Sequence, residues 1–436
     1  MSGVTVGILS LVVMLVLIYA GMYIPVALAV VSFLGVWAMR EDAALAAQLL
    51  GLATANSLAS YLFGVVPLFV LMGLLVAVSD IGRDTFDIAD RLLGRLRGGL
   101  GVATVAANAV FAAVTGISIA SAAVFTKVAV PEMLRYGYAP RLAVGVVAGS
   151  SVLGMLIPPS LLLIVFGLLS EKSIGDLFIA GIIPGIVLAV AFGIGIVIIG
   201  HRAPHLVGAD RRREPPPLAA REWILKPLPV VVLVSLVMGG IYGGVFTPTE
   251  AGAAGALGAL VIALVKGRLS LRTLWQLLVE TGHITASISL LVLAATMYSR
   301  MLALSGLPTA FGHWIVAEGF GLYGLLAIYI VAVIMLGTVL DSISIMLLLL
   351  PLVLPVVSDM GANLFWFGII TVIAVEIGLL TPPFGLSVFT IKATLHDETI
   401  SLNDIFAGAF PFACIMLAVL VLIIAVPWLA TALVHS

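Results

Sequence analysis

Two stretches decide the fold: Gly154-Met155-Leu156-Ile157-Pro158-Pro159-Ser160 and Gly378-Leu379-Leu380-Thr381-Pro382-Pro383. Each sets a proline pair inside a long apolar segment. Proline lacks an amide proton and its ring pushes against the carbonyl four residues back, so neither segment can run as an unbroken helix. An offset of 224 carries the first proline pair onto the second, and also Gly82 onto Gly306, Ser118 onto Ser342 and Pro131 onto Pro355. An offset of 223 carries Pro25 onto Pro248 and Gly35 onto Gly258; near the ends it drifts to 227–228, as in Asp176 onto Asp404 and Pro184 onto Pro411. A double proline in register with these identities marks an internal repeat.

The matrix around these breaks is apolar. Of the 436 residues 62% are hydrophobic and 9% charged, against about 45–50% and 25% in soluble proteins. Mean hydropathy is +1.29. A water-soluble fold cannot hide that much apolar surface, which excludes a soluble enzyme or nucleic-acid binder. Apolar runs of about 20 residues recur from end to end, the signature of an all-α polytopic membrane protein. The short alternating segments of a membrane barrel are absent. A net charge of −1 implies no polyanionic partner, and the single cysteine, Cys414, excludes a disulfide framework. The N-terminus has no basic region before its apolar run, which therefore reads as a spanning helix, not a removable signal.

Both halves read in one order. The first, 1–200, has spans near 4–20, 24–39, 61–79, 141–170 and 177–200, with an interrupted stretch at 99–134. The second, 227–436, has spans near 227–243, 248–266, 284–304, 362–394 and 405–431, with its interrupted stretch at 320–357. Weakly amphipathic stretches at 43–60 and 270–283 are candidate interfacial arms. Each interrupted stretch suits a re-entrant hairpin of two half-helices, which a membrane tolerates where the break is buried in protein or lines a wet cavity. Five spans plus a hairpin cross an odd number of times, so the halves lie in opposite orientations. The expected architecture is an inverted repeat of about ten spanning helices plus two re-entrant hairpins, as in secondary transporters.

Fifteen of the 20 Lys and Arg lie at 80–98, 135–141, 201–226 and 266–272, all on one side of the ten-span arrangement. By the positive-inside rule that side is cytoplasmic. The N-terminus is then periplasmic, 201–226 is a cytoplasmic basic linker, the first hairpin opens inward and the second outward.

The four breaks are the candidate site. The tips are Thr115-Gly116-Ile117-Ser118 and Leu340-Asp341-Ser342. Broken helices leave free carbonyls which, with hydroxyls and one carboxylate, suit a hard cation such as Na⁺; half-helix N-termini suit an anionic substrate. Asp341 can also cap the helix that follows it. Arg300, inside an apolar segment, can meet a substrate carboxylate, pair with an acid or snorkel to the surface. Glu376 can balance charge near the site or accept from backbone amides. Lys127 and Lys392 read as structural or snorkelling. Glu250, after Pro248, suits the first turn of a helix. No Walker A motif and no H-E-x-x-H or paired His/Cys spacing is present, so no nucleotide motor, catalytic constellation or cofactor is expected, and transport would run on an ion gradient.

These motifs resemble the large membrane subunit of tripartite ATP-independent periplasmic (TRAP) transporters. The resemblance rests on the Gly154–Ser160 and Ile377–Pro383 stretches, Ser173–Gly181 with Pro184-Gly185, Val66–Phe69 with Gly73, and Phe246–Gly252, and covers nearly the whole chain. It implies a sodium-coupled importer of organic acids in the bacterial inner membrane. Its implied partners are a periplasmic solute-binding protein and a small four-helix membrane subunit on a separate chain. It assigns Na⁺ and substrate binding to Gly116, Ser118, Gly154, Pro158, Asp341, Ser342, Gly378, Thr381 and Pro382; Thr115 joins them on the reading of its tip. Competing readings are a stand-alone sodium–anion symporter and, from another class, an intramembrane enzyme or non-transporting scaffold.

Overall fold

The computed structural model describes residues 2–59, 64–208, 219–395 and 399–434, the side chains of 56–58 excepted. The first half holds α1 (Gly3–Tyr19), α2 (Ile24–Arg40), α3 (Ala43–Leu58), α4 (Val65–Val78), α5 (Ile81–Leu93), α6 (Gly99–Thr115), α7 (Ser118–Arg135), α8 (Pro140–Ser151), α9 (Leu153–Leu156), α10 (Leu161–Ser170) and α11 (Ile174–Arg202). After a short α12 (Glu222–Leu225), the second half holds α13 (Leu228–Tyr242), α14 (Pro248–Val265), α15 (Leu271–Ser305), α16 (Leu307–Ala317), α17 (Gly321–Gly337), α18 (Ser342–Asp359), α19 (Leu364–Leu379), α20 (Leu386–Thr394), α21 (Leu402–Ala425) and α22 (Trp428–Thr431).

Local chemistry sets the helix starts. Ser160, Ser173, Ser270, Asp341, Asn363 and Ser401 each cap a helix through the side chain, contributing about 1 kcal/mol apiece. Thr247 and Glu250 form a reciprocal capping box at the start of α14. Glu250 is thereby engaged as a helix-start residue.

Stretch 99–134 folds as a helical hairpin, α6–α7, broken at Gly116-Ile117. Its two ends are bonded together, the Gly101 amide donating to the Tyr138 hydroxyl at 3.1 Å. Both ends lie beside the C-terminal end of α11, where Ala139 N–H donates to the Leu206 carbonyl at 2.9 Å and Gly200 packs against Arg97. The second hairpin, α17–α18, opens at the other end of the bundle, where Leu354 and Pro355 share a cavity with Lys172 at the opposite end of α11. Hairpins opening at opposite ends are what inverted halves require.

The helices sort into two groups. α1, α2, α4, α13, α14 and α15 pack on one another as a frame. The hairpins, the broken helices α8–α10 and α19–α20, and α11 and α21 form the second group. The most apolar window of 140–170 is 83% buried, against 22% for that of 222–242, so the broken helix is central and α13 is peripheral. Small residues make the closest approaches: a side chain on Gly145 would collide with the Gly408 carbonyl, and one on Gly73 would come within 2.5 Å of the Thr115 carbonyl. Exposed Ile8, Val12 and Val16 on α1 and Val231 on α13 suit contact with lipid.

Several expectations change. Seven helices among the described residues, or nine if two bent pairs count as one span each, are long and apolar enough to cross a membrane. Six of the ten expected spans are among the seven; α1, α2, α4 and α19, of 17, 17, 14 and 16 residues, are shorter, and the seventh is the hairpin helix α18. The expected arm at 270–283 is the first part of one continuous 35-residue helix, α15, because no breaker separates it from the span that follows. The basic region 80–98 contains α5. Its Asp80 and Asp87 pair with Arg268 at 2.5 Å and Lys226 at 2.6 Å, and Asp84 pairs with Lys266. Arg141 pairs with Asp404 at 3.1 Å. These contacts gather much of the basic set at one end of the bundle, called here the basic end. Arg211, Arg212 and Arg213 of the linker lie outside the described residues.

Candidate functional site

Each hairpin tip is tied to a proline break. α6 stops because Gly116 adopts φ +66°, a conformation costly for any residue with a side chain. A Cβ there would also collide with the Pro159 carbonyl. Gly116 in turn accepts a hydrogen bond from the Leu161 amide at 3.1 Å, and Gly154 packs against Ile117. The second half repeats the arrangement: the Phe384 amide donates to the Thr338 carbonyl at 3.0 Å, and a Cβ on Gly378 would sit 2.7 Å from the Gly337 Cα. The Pro158–Pro159 and Pro382–Pro383 peptide bonds are both cis. The breaks differ in exposure: Pro158 is buried, whereas Pro382, Pro383 and Phe384 are exposed.

The tips meet in one cavity of about 1070 Å³. Ser118 lines it from the first tip, Asp341, Ser342 and Ser344 from the second, and Met155, Leu161 and Leu379 from the broken helices. It reaches the basic end, where Asp80, Arg83, Lys127, Glu280 and His283 line it. Asp341 caps α18, accepting from the Ile343 and Ser344 amides at 3.2 Å each and from the Ser344 hydroxyl. It is half-buried and faces the cavity, so capping leaves it available to a cation. The Ser118 hydroxyl is fully buried with no hydrogen-bond partner among the described residues.

Other candidates stand back from the cavity. The Thr115 hydroxyl is spent on the Phe111 carbonyl at 2.9 Å, and that of Thr381 on the Ile377 carbonyl at 2.8 Å; each closes its own helical turn. Gly116, Gly154, Pro158, Gly378 and Pro382 are not in the lining and shape the breaks. Glu376, 1% exposed, sits behind the second tip, its Oε1 accepting from Ser342 at 3.5 Å while Oε2 has no partner among the described residues. Lys392 ties a loop through the Ile400 carbonyl at 2.7 Å. Arg300 lines a different cavity altogether.

Sequence reading passed over Asn108, Ser121 and Ser150. Asn108 donates to Ser150 at 2.7 Å, while its Oδ1 and the Ser121 hydroxyl are buried without partners among the described residues. Buried polar atoms are normally satisfied, which sets these oxygens apart, although neither residue lines the tip cavity. The signal was there: Asn108 is the one amide side chain in 99–134.

A profile of the family described as "Tripartite ATP-independent periplasmic transporter, DctM component" matches residues 11–429. The chain belongs to this TRAP transporter family. Its relatives include the C4-dicarboxylate TRAP transporter large permease protein DctM of Pseudomonas aeruginosa, 32% identical over 84% of this chain and 85% of that one. The sialic acid TRAP transporter large permease protein SiaM of Vibrio cholerae is 30% identical over 83% of each. Among solved structures, the YdaH transporter of Alcanivorax borkumensis superposes with a TM-score of 0.53 over 86% of this chain and 90% of that one, at 16% identity, a likeness of fold. As a TRAP large permease the chain is a multi-pass membrane transport protein.

Proposed function

We propose that this TRAP permease imports an organic acid anion across the bacterial inner membrane, coupled to Na⁺, with the N-terminus periplasmic. The anion is handed over by a periplasmic solute-binding protein, and a small four-helix subunit on a separate chain completes the membrane part. The observation that carries the reading is the convergence of Ser118, Asp341 and Ser342 on one cavity, with unpartnered oxygens beside the first tip. Hydroxyls, carbonyls and a carboxylate are hard ligands suited to Na⁺, and the α18 N-terminus offers a positive dipole to an anion. The relatives named for C4-dicarboxylates and sialic acid favour a carboxylate cargo. Thr115, Gly116, Gly154, Pro158, Gly378, Thr381 and Pro382 act by shaping the tips and supplying carbonyls.

The test is uptake of succinate and of sialic acid by proteoliposomes holding the permease with its small subunit, with and without the cognate binding protein. Uptake is expected to need an inward Na⁺ gradient and the binding protein. Uptake undiminished when K⁺ replaces Na⁺ at fixed pH refutes the coupling; uptake equally fast without the binding protein favours a stand-alone symporter.

A further inference from the structure

A second cavity, about 740 Å³, lies at the end of the bundle opposite the basic end. Its walls are α15 (Thr296, Ser299, Arg300), the α10–α11 turn (Glu171, Lys172) and the proline-bearing part of α18 (Pro351, Pro355). No residue of either hairpin tip lines it.

The repeat relates it to the tip cavity. Pro248 in its wall is the mate of Pro25, which lines the tip cavity; Pro351 is the mate of Lys127, which also lines it. Arg300 is the mate of Val76, flanked by Leu74 and Ala77 of the tip cavity. Each half thus builds a vestibule between a frame helix and a hairpin arm, one at each end. At the basic end the vestibule reaches the tips. At the other end it stops short of them.

Its charge is distinctive. Arg300 is half-buried in a membrane-spanning helix and makes no hydrogen bond or ion pair among the described residues. An unpaired guanidinium on an apolar span is costly unless water or an anion reaches it. Lys172 adds a second positive charge against one acid, Glu171. The Ser299 hydroxyl offers a further donor.

We propose that this outer cavity is a staging site for an organic carboxylate, held by Arg300 with Lys172 at its rim, before the anion reaches the hairpin tips. The proposal rests on the transport reading above for its cargo. Guanidinium is matched to carboxylate by its planar fork of donors.

The test needs no knowledge of the substrate. On a Cys414→Ser background, Ser299→Cys places a thiol in the cavity. Its reaction rates with membrane-impermeant methanethiosulfonates bearing a sulfonate or a trimethylammonium head report the local potential. The sulfonate reagent is expected to be favoured, and Arg300→Gln should lower the sulfonate-to-ammonium ratio about tenfold. Arg300→Lys, which keeps the charge, should preserve the ratio and guards against a folding artefact. A ratio unmoved by Arg300→Gln, or a thiol that neither reagent reaches, overturns the proposal. Charge-selective labelling without Na⁺-driven succinate or sialic acid uptake would refute the transport reading and leave the anion site standing. Na⁺-driven uptake with a charge-indifferent thiol would do the reverse.

Discussion

Asp341→Asn separates the two roles of the second tip. As a cap, Asp341 accepts from two amides at 3.2 Å each, and an asparagine oxygen does this nearly as well, so stability should change by less than about 1 kcal/mol. As a cation ligand the change is larger. Two unit charges about 4 Å apart at an effective dielectric of about 20 attract by roughly 4 kcal/mol. The asparagine dipole keeps part of this, leaving a loss of about 2 kcal/mol, roughly 30-fold in the Na⁺ concentration for half-maximal uptake. The assay is initial uptake rate against Na⁺ concentration in proteoliposomes, beside thermal unfolding in detergent. A variant with unaltered melting and an unaltered Na⁺ response would refute the reasoning: Asp341 would then be a helix cap alone, and cation binding would fall to the remaining hydroxyls and carbonyls.

Other variants probe neighbouring parts. Ser118→Ala removes an unpartnered buried hydroxyl and should raise the half-maximal Na⁺ concentration a few-fold with no loss of melting temperature, read in the same two assays. Gly116→Ala must adopt a positive φ against the Pro159 carbonyl; a destabilisation of about 2–4 kcal/mol is expected, seen as a lowered melting temperature. Glu376→Gln keeps an acceptor for Ser342 and should hold stability within about 1 kcal/mol, whereas Glu376→Ala should cost more by opening a hole in a packed helix face. A double-mutant cycle on Asp87 and Lys226, whose side chains are 35% and 18% exposed, should give a coupling of no more than about 1 kcal/mol that fades with added salt.

The breaks and hairpins were legible because proline and glycine state their constraints locally. The pairs at 158–159 and 382–383, and Gly116, interrupt their helices wherever they are packed. α5 was not set out from the sequence, where 80–98 stood out only for its charges. Yet Ile81, Phe86, Ala89 and Leu93 recur at helical spacing, with Asp84 and Asp87 turned to lysines far away in the chain. Which break residues face the cavity was not legible. Thr115 and Ser118 look alike in sequence, and only folding shows that one hydroxyl closes its own helix while the other is left unpartnered. The surroundings of Arg300 were open for the same reason: a lone arginine in an apolar segment carries no record of which cavity its helix faces.

The central claim is that Na⁺ binds where the two tips converge, with the Asp341 carboxylate its strongest side-chain ligand. Equilibrium binding of radiolabelled Na⁺ to the purified permease tests it without transport, substrate or partners. The account predicts saturable binding, weakened about 30-fold by Asp341→Asn and a few-fold by Ser118→Ala. Binding of equal affinity and amount in wild type and both variants would contradict it.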